Sequence, residues 1–172
     1  MIQLFDELEY STCVRINAFS RNATVRRFFQ AVSRLGDYPG YVIVGIASAA
    51  VLEGDSAAFV LHALGLATAG VIAYKLLKNS LVRERPFITH DQVECAAAPL
   101  DRYSFPSGHT MHAVAFAILF SAYLPFLIWL MVPFAILVAA SRVVLGLHYP
   151  SDVVVGALLG ALLAETSLNL IG

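Results

Sequence analysis

Ser141-Arg142-Val143-Val144-Leu145-Gly146-Leu147-His148-Tyr149-Pro150-Ser151-Asp152 joins two long apolar segments. A guanidinium closes the first segment, and an imidazole and a carboxylate open the second. Such groups are costly beside hydrocarbon unless they pair or act. Pro150 suits the first turn of a helix, where its missing N–H costs nothing. The stretch therefore predicts a helix ending near Leu145, a turn carrying His148, and a second helix with Asp152 in its first turn. The helix dipole favours an acid there, close enough to orient the imidazole and fix its tautomer. Taken alone, the pattern also fits a helix-capping histidine beside a loop arginine.

Composition sets the class. The chain has 172 residues, 59% hydrophobic and 13% charged; that charge content is about half the share usual in globular proteins. Apolar runs at about 41–52, 57–77, 107–123, 126–145 and 153–171 approach or reach the length that crosses a bilayer. The expected fold class is all-α, a polytopic transmembrane helical bundle of about five spans plus an N-terminal amphipathic region. Residues 1–36 form that region: Val25, Phe28, Phe29, Val32 and Leu35 share one helical face, while Arg26, Arg27, Gln30 and Arg34 take the other. This pattern suits a helix lying in the membrane interface or packed on the bundle. Residues 37–172 form the transmembrane domain. Asp6, Glu7 and Glu9 argue against a signal peptide. A net charge of −1 with no basic tail argues against nucleic-acid binding. Cys13 and Cys95 are too few for a disulfide framework. His62, toward the end remote from the motifs, is expected to bond between helices.

With five spans, the long polar connection 78–106 and the turn 146–152 fall on one membrane face. Three charged clusters then meet: Lys78 to Pro86, Pro106-Ser107-Gly108-His109, and the opening stretch. Lys78, Arg85 and Arg142 bring fixed positive charge, and arginine forks match phosphate oxygens. Ser107 and Gly108 at a helix start offer backbone N–H groups to an anion. His109 and His148 supply two imidazoles to divide acid and nucleophile roles. Snorkelling at the interface is the simpler reading of Arg83 and Lys75. A metal site through His90, Asp91, Glu94, His109 and His112 is a further alternative, disfavoured because the cations would repel a divalent ion. No metal and no cofactor is expected.

The pattern K-x6-R-P, P-S-G-H and S-R-x5-H-x3-D resembles the three-part signature of the type 2 phosphatidic acid phosphatase (PAP2) superfamily. It is carried here by Lys78 to Pro86, Pro106 to His109 and Ser141 to Asp152. The resemblance implies a membrane helical bundle that removes phosphate from lipid phosphates or diphosphates. It implies that His148 attacks phosphorus to form a phosphohistidine, that Asp152 orients it, and that His109 protonates the leaving oxygen. It further implies that Lys78, Arg85, Ser107, Gly108 and Arg142 bind phosphate oxygens. Many members have six spans, and residues 1–36 do not supply a sixth. The expected partners are the bilayer and a lipid phosphate, with undecaprenyl diphosphate first by family analogy. Phosphatidylglycerol phosphate, phosphatidate and lipid A phosphate follow.

Rival functions are a lipid phosphotransferase, a non-enzymatic lipid-phosphate carrier and a vanadate-dependent haloperoxidase. A carrier needs only the cations, not two histidines and an aspartate. An inner (cytoplasmic) membrane location is expected, with two indications of side that conflict. Arg15, Arg21, Arg26, Arg27 and Arg34 lie on the active-site face, so the positive-inside rule makes it cytoplasmic. Resemblance to bacterial family members makes it periplasmic.

Overall fold

The computed structural model describes residues 2–171; Met1 of the expected N-terminal region and Gly172 of the expected transmembrane domain lie outside it. Eight α-helices follow one another among these residues: α1 Ile2–Asn17, α2 Ala23–Leu35, α3 Pro39–Val51, α4 Ser56–Ser80, α5 Pro86–Thr89, α6 Gly108–Tyr123, α7 Ile128–Val144 and α8 Pro150–Ile171. Pro39 and Pro150 start their helices, as proline's missing donor allows. Helix α8 begins at Pro150 with Asp152 in its first turn, as the sequence predicts.

Among the described residues three segments, Glu53–Lys78, Pro125–Val144 and Pro150–Ile171, are long and apolar enough to cross a membrane. Their outer faces bear Leu61, Leu64, Trp129, Ile136, Leu158 and Leu162, all exposed. A continuous belt of this kind suits hydrocarbon rather than water. Helix α3 has 13 residues, too short to span unaided. Helix α6 has 16 residues and lies at the centre, with Met111, Ala113, Ala115, Leu119 and Phe120 buried.

Helices α6 and α8 pack backbone to backbone. A β-carbon on Gly156 would stand 2.5 Å from the Ser107 carbonyl oxygen, and one on Gly160 would strike the Met111 carbonyl. The close approach brings the start of α6 against the start of α8, where the Ser107 N–H donates to the Asp152 carbonyl at 3.1 Å. Two motifs distant in sequence are thereby locked together.

At the other end, His62 contacts the Tyr123 hydroxyl and the Ser167 hydroxyl, each at 3.1 Å. These bonds tie α4 to α6 and α8, the interhelical role expected of it. Helix α2 packs on α7 through Val32 and Ser33, both buried, while Phe28 and Leu35 remain exposed.

Candidate active site

The turn between α7 and α8 is short and sharply folded. Gly146 takes φ 74°, a left-handed conformation natural to glycine. The N–H groups of Leu147 and His148 both donate to the Arg142 carbonyl, at 3.0 and 3.1 Å. His148 is thus fixed beneath the end of α7 and is buried. Its Nε2 lies 3.3 Å from Arg85 Nη1. Its Nδ1 lies 3.7 Å from Asp152 Oδ2, too long for a hydrogen bond, and has no partner among the described residues. Asp152 therefore stands beside His148 by proximity, while its oxygens accept from the Tyr149 N–H at 2.8 Å and from Arg83 Nη1 at 2.7 Å. Burial, then the charges of Arg142, Arg85, Lys78 and His109, hold the His148 pKa well below the usual histidine value. The ring is neutral at ordinary pH, the form a nucleophile needs.

Arg83 does not snorkel. Its guanidinium pairs with Asp152 and with Glu9 of α1, bonds the Ser151 hydroxyl at 2.7 Å, and stacks 3.9 Å from the Tyr149 ring centroid. Glu9 also accepts the Ser151 N–H at 2.9 Å. The buried Asp152 needs a counter-charge, and Arg83 provides it. Helix α1 thereby reaches the rear of the site, a role its sequence does not advertise.

The expected phosphate ligands converge. Arg85 donates from Nε to the Asp101 carbonyl at 2.9 Å and from Nη1 to the Leu147 carbonyl at 2.8 Å. Asp101 Oδ1 is shared between Lys78 Nζ at 2.8 Å and Arg85 Nη2 at 2.7 Å, and Tyr74 donates to Oδ2. Burial works against the Asp101 charge, but the hydrogen bonds from Lys78 and Tyr74 and the positive charge nearby hold its pKa below the ordinary carboxylate value. Arg142 is buried; Nη1 donates to the Ser33 hydroxyl of α2, and Nε has no partner among the described residues. Ser107 sits at the N-cap position of α6 but makes no side-chain cap hydrogen bond, its hydroxyl meeting that of Thr110 at 2.9 Å, so the first N–H groups of that helix lack acceptors. The Tyr74 ring lies against Gly108, where a β-carbon would meet it at 2.7 Å.

His109, in the first turn of α6, bonds through Nε2 to Asp37 on the turn between α2 and α3. Two cavities meet at this pair. One, about 160 Å³, is lined by Tyr38, Val71, Tyr74, Lys75 and His112 among others; the second, about 280 Å³, by Gln30, Ser33, Arg34, Ala98 and Arg142. Either exceeds the volume of a single water. Lys75 therefore borders the site. Among the described residues no three His, Cys, Asp or Glu side chains gather as metal ligands. His90 instead stacks near Tyr10 and Tyr149, and Glu94 pairs with Arg26. The partners missed from sequence, Glu9, Asp37 and Asp101, are lone acids with no characteristic spacing to the groups they touch.

A membrane helical bundle with two histidines and a cluster of buried cations at one end has the make-up that lipid-phosphate chemistry calls for. The family model of the PAP2 superfamily matches residues 58–171, and the chain belongs to that superfamily. It is 33% identical over 135 residues to the decaprenylphosphoryl-5-phosphoribose phosphatase of Mycobacterium tuberculosis, covering 77% of this chain and 72% of that one. It is 36% identical to the undecaprenyl-diphosphatase of Sulfolobus acidocaldarius, covering 58% and 49%. The crystal structure of a transmembrane PAP2 type phosphatidylglycerolphosphate phosphatase from Bacillus subtilis superposes with a TM-score of 0.68 at 26% identity, covering 98% of this chain and 85% of that one. The chain is a membrane-embedded phosphoric ester hydrolase of the lipid phosphatase kind.

Proposed function

We propose that this enzyme removes the terminal phosphate of a polyprenyl lipid, with undecaprenyl diphosphate the leading substrate, through a phosphohistidine on His148. The observation that carries this reading is a buried imidazole set among Arg85, Arg142 and Lys78, with a second histidine on the facing helix. Phosphoryl transfer needs positioning and charge stabilisation. Lys78, Arg85, Arg142, Ser107 and the Gly108 N–H bind the phosphate oxygens, so no metal is required. Arg83 steadies Asp152, whose Oδ2, 3.7 Å from His148 Nδ1, acts on the ring by its nearby charge rather than by a hydrogen bond. His109 protonates the leaving oxygen and then activates water. Similar proteins named for decaprenylphosphoryl-5-phosphoribose and undecaprenyl diphosphate support a polyprenyl lipid, and a relative named lipid A 1-phosphatase, 38% identical over 96 residues, makes lipid A the alternative substrate. We place the enzyme in the cytoplasmic membrane, with residues 1–36 along the interface and 37–172 as the catalytic domain.

The test is phosphate release in detergent with excess EDTA, across undecaprenyl diphosphate, phosphatidate and phosphatidylglycerol phosphate. The diphosphate should be turned over fastest. His148→Ala should abolish release and trapping of labelled phosphate on the protein. Loss on chelation, restored by Mg²⁺ or Zn²⁺, would overturn the metal-free mechanism; transfer to an added lipid alcohol in place of release would make the enzyme a phosphotransferase.

A further inference from the structure

Asp37 belongs to none of the three motifs, yet it is bonded to one of the two histidines. The turn that carries it is held in place by packing. Gly36 is buried against α7, where a β-carbon would stand 3.0 Å from a Val138 methyl. The Asp37 N–H donates to the Arg34 carbonyl at 3.1 Å. Pro39 then begins α3. Its carboxylate, about two-fifths exposed, lines both cavities and bonds His109 Nε2. The charged and titratable groups around that ring are Asp37 from the turn, Arg142 from α7, His112 from α6 itself, Lys75 and Tyr74 from α4 across one cavity, and Arg34 from α2 beside Asp37. Among them Asp37 is the one carboxylate. Arg142, Lys75 and Arg34 all oppose a positive imidazole.

We propose that Asp37 is the positioning residue of the acid histidine: it accepts the Nε2 proton of His109, favours the doubly protonated ring against burial and the surrounding cations, and leaves Nδ1–H to serve the departing oxygen. This rests on the phosphohistidine reading above. When the bond from phosphorus to the leaving oxygen breaks, the Nδ1 proton passes to that oxygen. The ring is left neutral, with its remaining proton on Nε2 against Asp37. In the second half-reaction Nδ1 takes a proton from the water that attacks the phosphohistidine, and His109 returns to its starting state. The side-chain hydrogen bond of His109 among the described residues is made through Nε2, which leaves Nδ1 for this exchange. The arrangement repeats, for the acid, the carboxylate support that orients a catalytic imidazole elsewhere.

The experiment compares wild type, Asp37→Asn, Asp37→Glu, His109→Asn and the double variant Asp37→Asn/His109→Asn, on phosphatidate and on undecaprenyl diphosphate, across pH. A monoester leaves as an alkoxide and needs the proton; a diphosphate leaves as a phosphate and needs it less. Asp37→Asn should lower kcat on the monoester by roughly tenfold or more, with a smaller loss on the diphosphate. Without the carboxylate the imidazolium loses its proton more readily, so the alkaline limb of the pH–rate profile should move to lower pH. Asp37→Glu should restore both. The double variant should be no slower than His109→Asn. Equal losses on both substrates with an unmoved pH profile, or additive losses in the double variant, would overturn the proposal. Asp37→Ser, a residue suited to the turn, carries the same readouts if the asparagine variant does not fold. Wild-type release with an inactive His148→Ala tests the reaction itself, so the two failures are distinguishable.

Discussion

Asp101 places one carboxylate oxygen between Lys78 and Arg85, two of the groups proposed to bind phosphate. A phosphate oxygen and this carboxylate compete for the same donors. Asp101→Asn should therefore tighten competitive inhibition by inorganic phosphate by roughly three- to tenfold, the range for losing one ion pair worth about 1 kcal/mol. Unchanged or weaker inhibition would mean that Asp101 instead holds the cations in place. His148 gives a second prediction. Its pKa is held low in the folded protein, chiefly by burial, whereas an unfolded chain protonates it below about pH 6.5. The unfolded state then binds more protons, so stability is lost as pH falls below that value. His148→Ala should show a smaller drop in apparent Tm between about pH 7 and pH 5 than the wild type; parallel curves would contradict a buried neutral ring. The motif residues around these groups were legible because their order and spacing are distinctive. Asp37, Asp101 and Glu9 were not, because a carboxylate brought in by tertiary folding leaves no local pattern. Arg83 was misread for a related reason: alone beside an apolar run it resembles an interfacial anchor, and only the folded chain reveals Glu9 and Asp152 around it.

Helix starts do most of the positioning. Gly108 and Pro150 begin α6 and α8, and the bond between the N–H of Ser107, just before α6, and the Asp152 carbonyl fixes one against the other. The helix ends could be read from proline and from the limits of the apolar runs. The α6–α8 contact could not, because Gly156 and Gly160 appear in sequence as ordinary small residues of an apolar helix. Gly156→Val should cost at least 1–3 kcal/mol as overpacking, and should lower kcat because it moves Asp152 relative to Ser107. Gly65 offers the contrast. A β-carbon there meets nothing within 4 Å, so Gly65→Ala should stabilise α4 by about 0.5–1 kcal/mol through helix propensity alone. Thermal unfolding in one detergent, with activity measured alongside, separates the two outcomes. Similar effects from both substitutions would remove the close α6–α8 approach as the cause.

Across the whole molecule, chemistry gathers at one end and hydrocarbon surrounds the middle. The active-site end carries the 81–107 connection, the α7–α8 turn and the two N-terminal helices. The opposite end carries the connections 52–56 and 124–127, which hold Glu53 and Asp55 but no lysine or arginine. Two native thiols make this polarity measurable. Cys95 is exposed in the active-site connection, while Cys13 is buried, its pKa pushed up to about 12 by burial and by the nearby charges of Glu9 and Asp152. Thiolate is the reactive form, so Cys13 should stay silent. A membrane-impermeant maleimide should therefore label the wild-type protein once, at Cys95, and from one side only. A cysteine in place of Phe126, which is exposed in the opposite connection, should label from the other side in a Cys95→Ser background. If the positive-inside rule governs this chain, Cys95 reacts in inverted vesicles and the Phe126 position in intact cells; the reverse pair of results puts the active site on the outer face. Labelling of both positions from the same side would sink the transmembrane placement of α6 and α7, because these helices separate the two connections by the thickness of the bundle.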